Sequence, residues 1–288
     1  MEETFNQSEI NDAQEAAPKR KKRSFLGKVW RIIWITVVAL FLFSLLEVVA
    51  FKFINPPLTP LMIQRFGQQL FQKDRKVNFE RDYVSIDEIS PNLVNAVVAS
   101  EDGNFMHHHG FDVRMLKQSY RENKQGRRVR GGSTISMQTA KNAFLPHRRS
   151  MVRKALEAYF TQLIEWTWGK KRIMECYLNI IEFGDGIYGC EAAAQHYFGH
   201  SAATLSRNEA AQLAVTLPSP LKRNPGHRTP YFRKQTNVVQ NRAAKYGRVN
   251  LDRKPDKPAK GKKKKASEEN LFDFLKWMWE QEHKDKKS

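Results

Sequence analysis

Apolar residues run almost unbroken from Ile32 to Phe51, with only Thr36, Ser44 and Glu47 intervening. A helix of about 20 such residues crosses the hydrocarbon core of a bilayer. Glu47 lies near one end, where a carboxylate can reach the headgroups. The pattern predicts a transmembrane helix over residues 29–53, with Trp30 and Trp34 at one interface. Lys19, Arg20, Lys21, Lys22 and Arg23 precede it, so the positive-inside rule puts the N-terminus in the cytoplasm and everything after about residue 54 outside it. A cleaved signal peptide fits less well, because the run is long for that role and begins far from Met1. A buried core helix is the soluble alternative.

Beyond Asn55-Pro56-Pro57 the periodicity is helical. Ser90-Pro91 is a helix start, and Val94, Val97 and Val98 form one stripe after it. Ser150 opens a helix whose expected apolar stripe is Val152, Leu156, Tyr159, Phe160 and Leu163. Another helix runs from about Lys170 through Ile173, Tyr177 and Ile180. Ser206 and Glu209 form a capping box, and Thr229-Pro230 starts a last helix towards Tyr246. Alternating patterns are scarce; Tyr83-Val84-Ser85-Ile86 is the best strand candidate. The division expected is a basic cytoplasmic tail (1–28, polar and disordered to about residue 18), the span (29–53), a mainly α domain (54–250) and a Lys-rich linker with an amphipathic helix (251–288). Leu271 to Trp279, at the end of that linker, has aromatics beside basic flanks. It fits contact with an anionic bilayer, packing on the domain, or a loose tail.

The formal net charge of +19 favours anionic partners. Much of it sits in Lys19–Arg23 and Lys254–Lys265. Those runs lack interleaved aromatics, and the span argues against nucleic acid as a partner. Two cysteines, Cys176 and Cys190, are too few for a disulfide framework.

Three stretches carry candidate chemistry. Glu101 falls four residues after Val97, on the apolar stripe, and Asp102 follows it. A carboxylate there is costly unless paired or used; pairing with a nearby Arg is the plain alternative. Arg130-Gly131-Gly132-Ser133-Thr134 then precedes a helix, with Ser133 able to cap it and free amides suited to a phosphate. Lys141 lies on the face of Thr134, and Arg127, Arg128 and Arg130 add charge upstream. Finally, Arg153 and Lys154 stand four and three residues before Glu157, which alone would suggest a surface ion pair. A Walker loop, a Ser-x-x-Lys motif and a His-Glu-x-x-His motif are absent, and His107, His108 and His109 point in different directions.

Together these stretches resemble the peptidoglycan glycosyltransferases of glycosyltransferase family 51, and especially their monofunctional members. The resemblance covers about residues 80 to 245. One motif fits Glu101, Asp102, Phe105, His108 and Gly110, and a second fits Gly131, Gly132, Ser133, Thr134, Ile135, Ser136, Gln138, Lys141 and Asn142. A third fits Arg153, Lys154 and Glu157, and a fourth Lys170, Ile173, Glu175, Tyr177, Leu178 and Asn179. A fifth resembles Tyr197-Phe198-Gly199 with Leu205, Glu209, Ala210 and Leu213. Met137 departs from the pattern, which has Gln there, and the chain beyond about residue 250 has no counterpart.

The resemblance implies a lysozyme-like, two-lobed helical domain and the polymerisation of lipid II with release of undecaprenyl pyrophosphate. It makes Glu101 the general base and Glu157 the second catalytic carboxylate. Asp102, Phe105, His108, Gly110, Gly132, Ser133, Thr134, Gln138, Lys141, Asn142, Arg153 and Lys154 become substrate-binding residues. Glu157 would orient the cations among them or help hold a divalent ion; no metal ligands are assigned, and a magnesium or manganese ion at the pyrophosphate stays open. Its partners are lipid II, the growing glycan, membrane lipid and other cell-wall synthesis proteins. It places the catalytic domain on the periplasmic face of the inner membrane. A lysozyme-like hydrolase is the alternative, with Glu101 as general acid; neutral sugar leaving groups have no need of the cations. A non-catalytic scaffold would leave both carboxylates dispensable, and a bifunctional synthase would need a longer chain.

Overall fold

The computed structural model describes residues 25–71, 77–125, 132–146, 150–253 and, near the C-terminus, 272, 274–276, 279 and 280. Its α-helices are α1 (Phe25–Phe53), α2 (Pro60–Leu70), α3 (Pro91–Glu101), α4 (Val113–Lys124), α5 (Ile135–Phe144), α6 (Met151–Thr167), α7 (Lys170–Ile180), α8 (Cys190–Phe198), α9 (Arg207–Thr216) and α10 (Pro230–Tyr246). Three short strands, β1 (Glu80–Arg81), β2 (Glu182–Gly184) and β3 (Ile187–Tyr188), form a sheet in the order β1-β3-β2. β3 runs parallel to β1 and antiparallel to β2.

The part of α1 up to Leu46 is a compact unit of its own. Its apolar side chains are exposed, including Trp30, Ile32, Trp34 and Leu40. Thr36 Oγ1 donates to Ile32 O (2.9 Å) and Ser44 Oγ to Phe41 O (2.7 Å), so both hydroxyls are satisfied inside the helix. With 29 residues, α1 is long and apolar enough to cross a membrane.

From Glu47 onward the chain belongs to the second unit. The last turn of a helix leaves carbonyls without partners, and here α7 and its approach supply them. Arg172 donates to Phe51 O (2.8 Å) and Ile54 O (3.0 Å), and further inside the helix Trp168 Nε1 adds a donor to Val48 O (2.9 Å). The same guanidinium donates to Asn55 and Tyr83 and pairs with Glu175. Phe51 stacks on Phe144, which stacks in turn on Phe160 at 4.6 Å.

The helices of this unit pack as two groups, α3 with α9 and α10, and α5 with α6 and α7. Ser90 caps α3 by accepting from Asn92 N and donates to Leu205 O, which fastens the start of α3 to the approach of α9. Ser206 and Glu209 make the reciprocal cap expected of α9, and Thr229 caps α10. Cys176 and Cys190 are free thiols in the core, and burial pushes the Cys176 thiol up to about 12.

Two sequence expectations change. Tyr83 to Ile86 is not a strand: the Val84 backbone is bonded by the side-chain amide of Asn179 on both sides, which takes the place of a neighbouring strand. Ser85 then opens a 3-10 turn over Ile86–Glu88. In α6 the apolar stripe is rotated from the expected one. Val152 is 72% exposed and Leu156 43%, whereas Glu157 is 2% exposed beside Ala158, Phe160, Leu163 and Ile164. Cations on the inner side satisfy that carboxylate, so the polar residue faces in and two aliphatics face out.

Near the C-terminus, Phe274 packs on the domain against Phe111, while Phe272 and Trp279 are exposed. Arg172→Ala should lower the stability of the globular unit by about 1–3 kcal/mol, because it strips several part-buried acceptors at once. Arg172→Lys should recover little, since an ammonium cannot span those acceptors. Thermal unfolding of the detergent-solubilised chain checks this, and unchanged midpoints would refute it.

Candidate active site

Glu101 is the last residue of α3, and its carboxylate is only partly exposed. Gln138 Nε2 donates to Glu101 Oε2 at 3.0 Å, and Ser100 Oγ lies 3.4 Å from the other oxygen. The amide of Gln138 is itself oriented, because Tyr177 OH donates to its Oε1 at 3.1 Å. Burial pushes the Glu101 carboxyl above the ordinary carboxylate range; the bonds from Gln138 and Ser100 oppose that shift, and Lys141 opposes it too. A carboxylate with raised proton affinity, held by neutral donors, suits proton abstraction near neutral pH.

Asp102 is buried and organises what lies behind Glu101. Its carboxylate accepts from His108 Nε2 (2.9 Å) and from Ile135 N (3.0 Å), the first amide of α5. Gly110 N donates to His108 Nδ1 (3.1 Å), which sets the Nε2–H tautomer of the ring. Gly110 has φ +96°, and a Cβ there would come within 2.9 Å of Thr161. Its carbonyl accepts from Thr134 Oγ1 (2.6 Å), and Thr134 caps α5 by accepting from Met137 N (3.1 Å). Thr134, and not the expected Ser133, is therefore the cap.

Ser133 is turned to another use. Lys154 Nζ donates to Ser133 Oγ at 3.4 Å and also pairs with Glu157. Arg153 Nη1 donates to the other Glu157 oxygen at 2.7 Å. Glu157 is buried, so this is a largely desolvated cluster and not a surface pair. Lys141 stands on α5 within electrostatic range of both carboxylates. Burial lowers its proton affinity most; Glu157 raises it, Lys154 and Arg153 lower it, and Glu101 raises it. Burial likewise lowers that of Lys154, against the pull of Glu157. Lys141 thus ties the Glu101 side to the Glu157 side.

The expected residues separate into two sets. Glu101, Ser133, Gln138, Lys141, Arg153, Lys154 and Glu157 are joined by hydrogen bonds, ion pairs or charge coupling. Asp102, His108, Gly110 and Thr134 form the wall behind them, bonded to one another. Phe105 is fully buried, with Lys170 Nζ 4.6 Å from its ring centroid, and has no surface to offer a ligand. Gly132 packs on α4, where a Cβ would meet Leu116 at 2.9 Å. Asn142 is buried, and its Oδ1 has no partner among the described residues. Arg127, Arg128, Arg130 and Gly131 lie outside the described residues. Tyr177 was missing from the expected set. Its signal was a tyrosine on the apolar face of α7, since a buried phenol needs a hydrogen-bond partner.

A family model described as transglycosylase matches residues 67–244, more than half of the chain. The chain belongs to the transglycosylase family. Its mainly helical, lysozyme-like domain is that of the family, and the chain is a glycosyltransferase. It is 51% identical over 200 residues to a biosynthetic peptidoglycan transglycosylase of Caulobacter vibrioides, covering 67% of this chain and 83% of that one. A protein of the same name from Xylella fastidiosa is 44% identical over 220 residues (76% of this chain, 90% of that one). Another from Xanthomonas campestris is 40% identical over 240 residues (83% and 95%).

The electrostatics of the transglycosylase site predict a pH signature. The folded protein holds a proton on Glu101 more tightly than the unfolded chain does. The contribution of Glu101 to stability is therefore lost as pH rises from the ordinary carboxylate pKa through the raised one. Glu101→Gln keeps an acceptor for Gln138 and removes that loss. The variant should melt above the wild type at about pH 7, with the gap closing towards about pH 4. A gap that does not change with pH would refute the shift.

Proposed function

We propose that this transglycosylase polymerises lipid II into peptidoglycan glycan strands. The observation that carries the reading is the division of the site. One carboxylate, Glu101, is held by the neutral donors Gln138 and Ser100, and the other, Glu157, is embedded among cations. The three similar proteins named biosynthetic peptidoglycan transglycosylases support the substrate.

Glu101 takes the proton from the 4-hydroxyl of the acceptor's N-acetylglucosamine. The freed oxygen electrons attack the donor's anomeric carbon from the face opposite the leaving group. The bond from that carbon to the pyrophosphate oxygen breaks, and undecaprenyl pyrophosphate departs with the electron pair. The configuration inverts. Gln138, itself held by Tyr177, aims the base. Lys141, Arg153 and Lys154 meet the charge that develops on the leaving pyrophosphate, where preorganised cations act most strongly. Glu157 orients Arg153 and Lys154.

Among the described residues the donors around Glu157 do not fit a metal site. Both oxygens of Glu157 are taken by cations, and no group of three or more His, Cys, Asp or Glu that could hold a metal occurs among the described residues. The helix α1 supports a single-pass anchor, and the basic run Lys19–Arg23 before it supports a cytoplasmic N-terminus with the enzyme on the periplasmic face of the inner membrane. Confinement to one membrane face raises the effective concentration of a lipid-linked substrate.

Incubation of the purified chain with labelled lipid II, with and without Mg²⁺ or Mn²⁺, tests the reading on a gel. Long glycans are expected; digestion of mature wall without lengthening would refute it. Glu101→Gln should cut polymerisation by about 10³-fold or more with the fold intact. Glu157→Gln should cut it by about 10-fold or more without abolishing it, and normal turnover would return Glu157 to a structural ion pair.

A further inference from the structure

The C-terminal segment meets the site at Phe274. Its side chain is fully buried, although Phe272 and Trp279 nearby are exposed. The ring stacks on Phe111 with centroids 5.0 Å apart. It completes an apolar cluster with Phe111, Val113, Leu116, Met137 and Ala158. Lys154 Nζ stands 5.6 Å from the centroid of the same ring. This is the ammonium that pairs with Glu157 and donates to Ser133. It has polar partners on one side and an aromatic face on another.

Both departures of this chain from the motif pattern fall in that cluster. Met137 stands where the resemblance has Gln, and Phe274 lies beyond residue 244, where the family match ends. A Gln at 137 would bring an amide needing partners into a cluster of apolar side chains, which is unfavourable. The Met side chain fills similar space without that cost and packs well beside rings.

We infer that Phe274 is a positioning residue: seated against Met137 and Phe111, it holds the Lys154 ammonium in place for the leaving group. The inference rests on Lys154 as a cation that receives the pyrophosphate. A Lys stem is flexible, so a free ammonium samples many positions. A ring face within about 6 Å attracts it, and a wall that excludes water strengthens its field at the substrate. Burial already lowers the proton affinity of Lys154, as expected for an ammonium screened from water.

The test uses full-length chain carrying Phe274→Leu, Met137→Gln, Lys154→Ala and the pairwise doubles. Phe274→Leu keeps an apolar plug but removes the π face. It should leave the melting temperature within a few degrees and lower kcat about 2- to 5-fold, with KM less affected. In the Lys154→Ala background the same change should add nothing. Met137→Gln should lower kcat similarly and be non-additive with Phe274→Leu. Independently of turnover, the Lys154 side-chain protons should show an upfield ring-current shift by NMR that Phe274→Leu abolishes. Wild-type kcat in Phe274→Leu, additivity with Lys154→Ala, or a missing ring-current shift would each overturn the inference. A wild type inactive on lipid II would sink the substrate reading instead, and the ring-current shift would still decide whether Phe274 is seated on Lys154.

Discussion

The buried carboxylate of Asp102 is the constraint on which the site depends. It receives a ring N–H from His108 and the first backbone amide of α5 from Ile135. An anion at a helix start satisfies an orphan amide and is stabilised by the helix dipole. Here it also binds two elements into one. Glu101 precedes Asp102 at the end of α3, and Gln138 follows Ile135 by three residues on α5. Fixing Asp102 against Ile135 therefore sets the base and its amide partner at hydrogen-bond distance. The His108, Gly110 and Thr134 chain closes the same loop from the other side. Precise placement of the base comes from residues that have no need to touch a substrate.

Much of this was legible in the sequence, and the misses share a cause. Helix starts at Ser90, Ser150, Ser206 and Thr229 follow from local capping chemistry and lie where expected. The wrong strand at Tyr83 to Ile86 arose because strand pairing is non-local: its backbone partner is a side chain 95 residues away, Asn179. The stripe of α6 was misjudged because periodicity counts Val and Leu as inward and Glu as outward. That weighting fails where a buried carboxylate is compensated by Arg153 and Lys154. Motif spacing located Glu101 and Glu157 but not the division of labour around them. Asp102, His108 and Thr134 carry the same polar atoms whether they face a ligand or one another, and only the hydrogen-bond partners decide.

The attachment of α1 follows the same economy of parts. Arg172 and Trp168 bind the carbonyls at its end, and both sit at α7 or just before it. Tyr177, five residues beyond Arg172 on α7, holds Gln138. One helix thus joins the end of the apolar span to the residue that aims the base. A change at Arg172 can reach the site through α7 without altering any group that contacts a sugar.

The cationic side of the site carries more positive charge than its one buried carboxylate neutralises. Lys141, Arg153 and Lys154 stand around one buried carboxylate, and the coupling of Lys141 extends only weakly to Glu101. Burial denies the lysines water and outweighs the pull of Glu157, and repulsion among the cations adds to it, so the proton affinities of Lys141 and Lys154 fall. A sequence selected for stability alone would place a second acid there or expose the ammonium groups. An anion entering between them removes the repulsion and restores their solvation with its own oxygens. The cations therefore favour an anion there, and most strongly where negative charge is growing as a bond breaks. The side chains that neutralise Glu157 in the fold are the ones that can accelerate departure of a charged group.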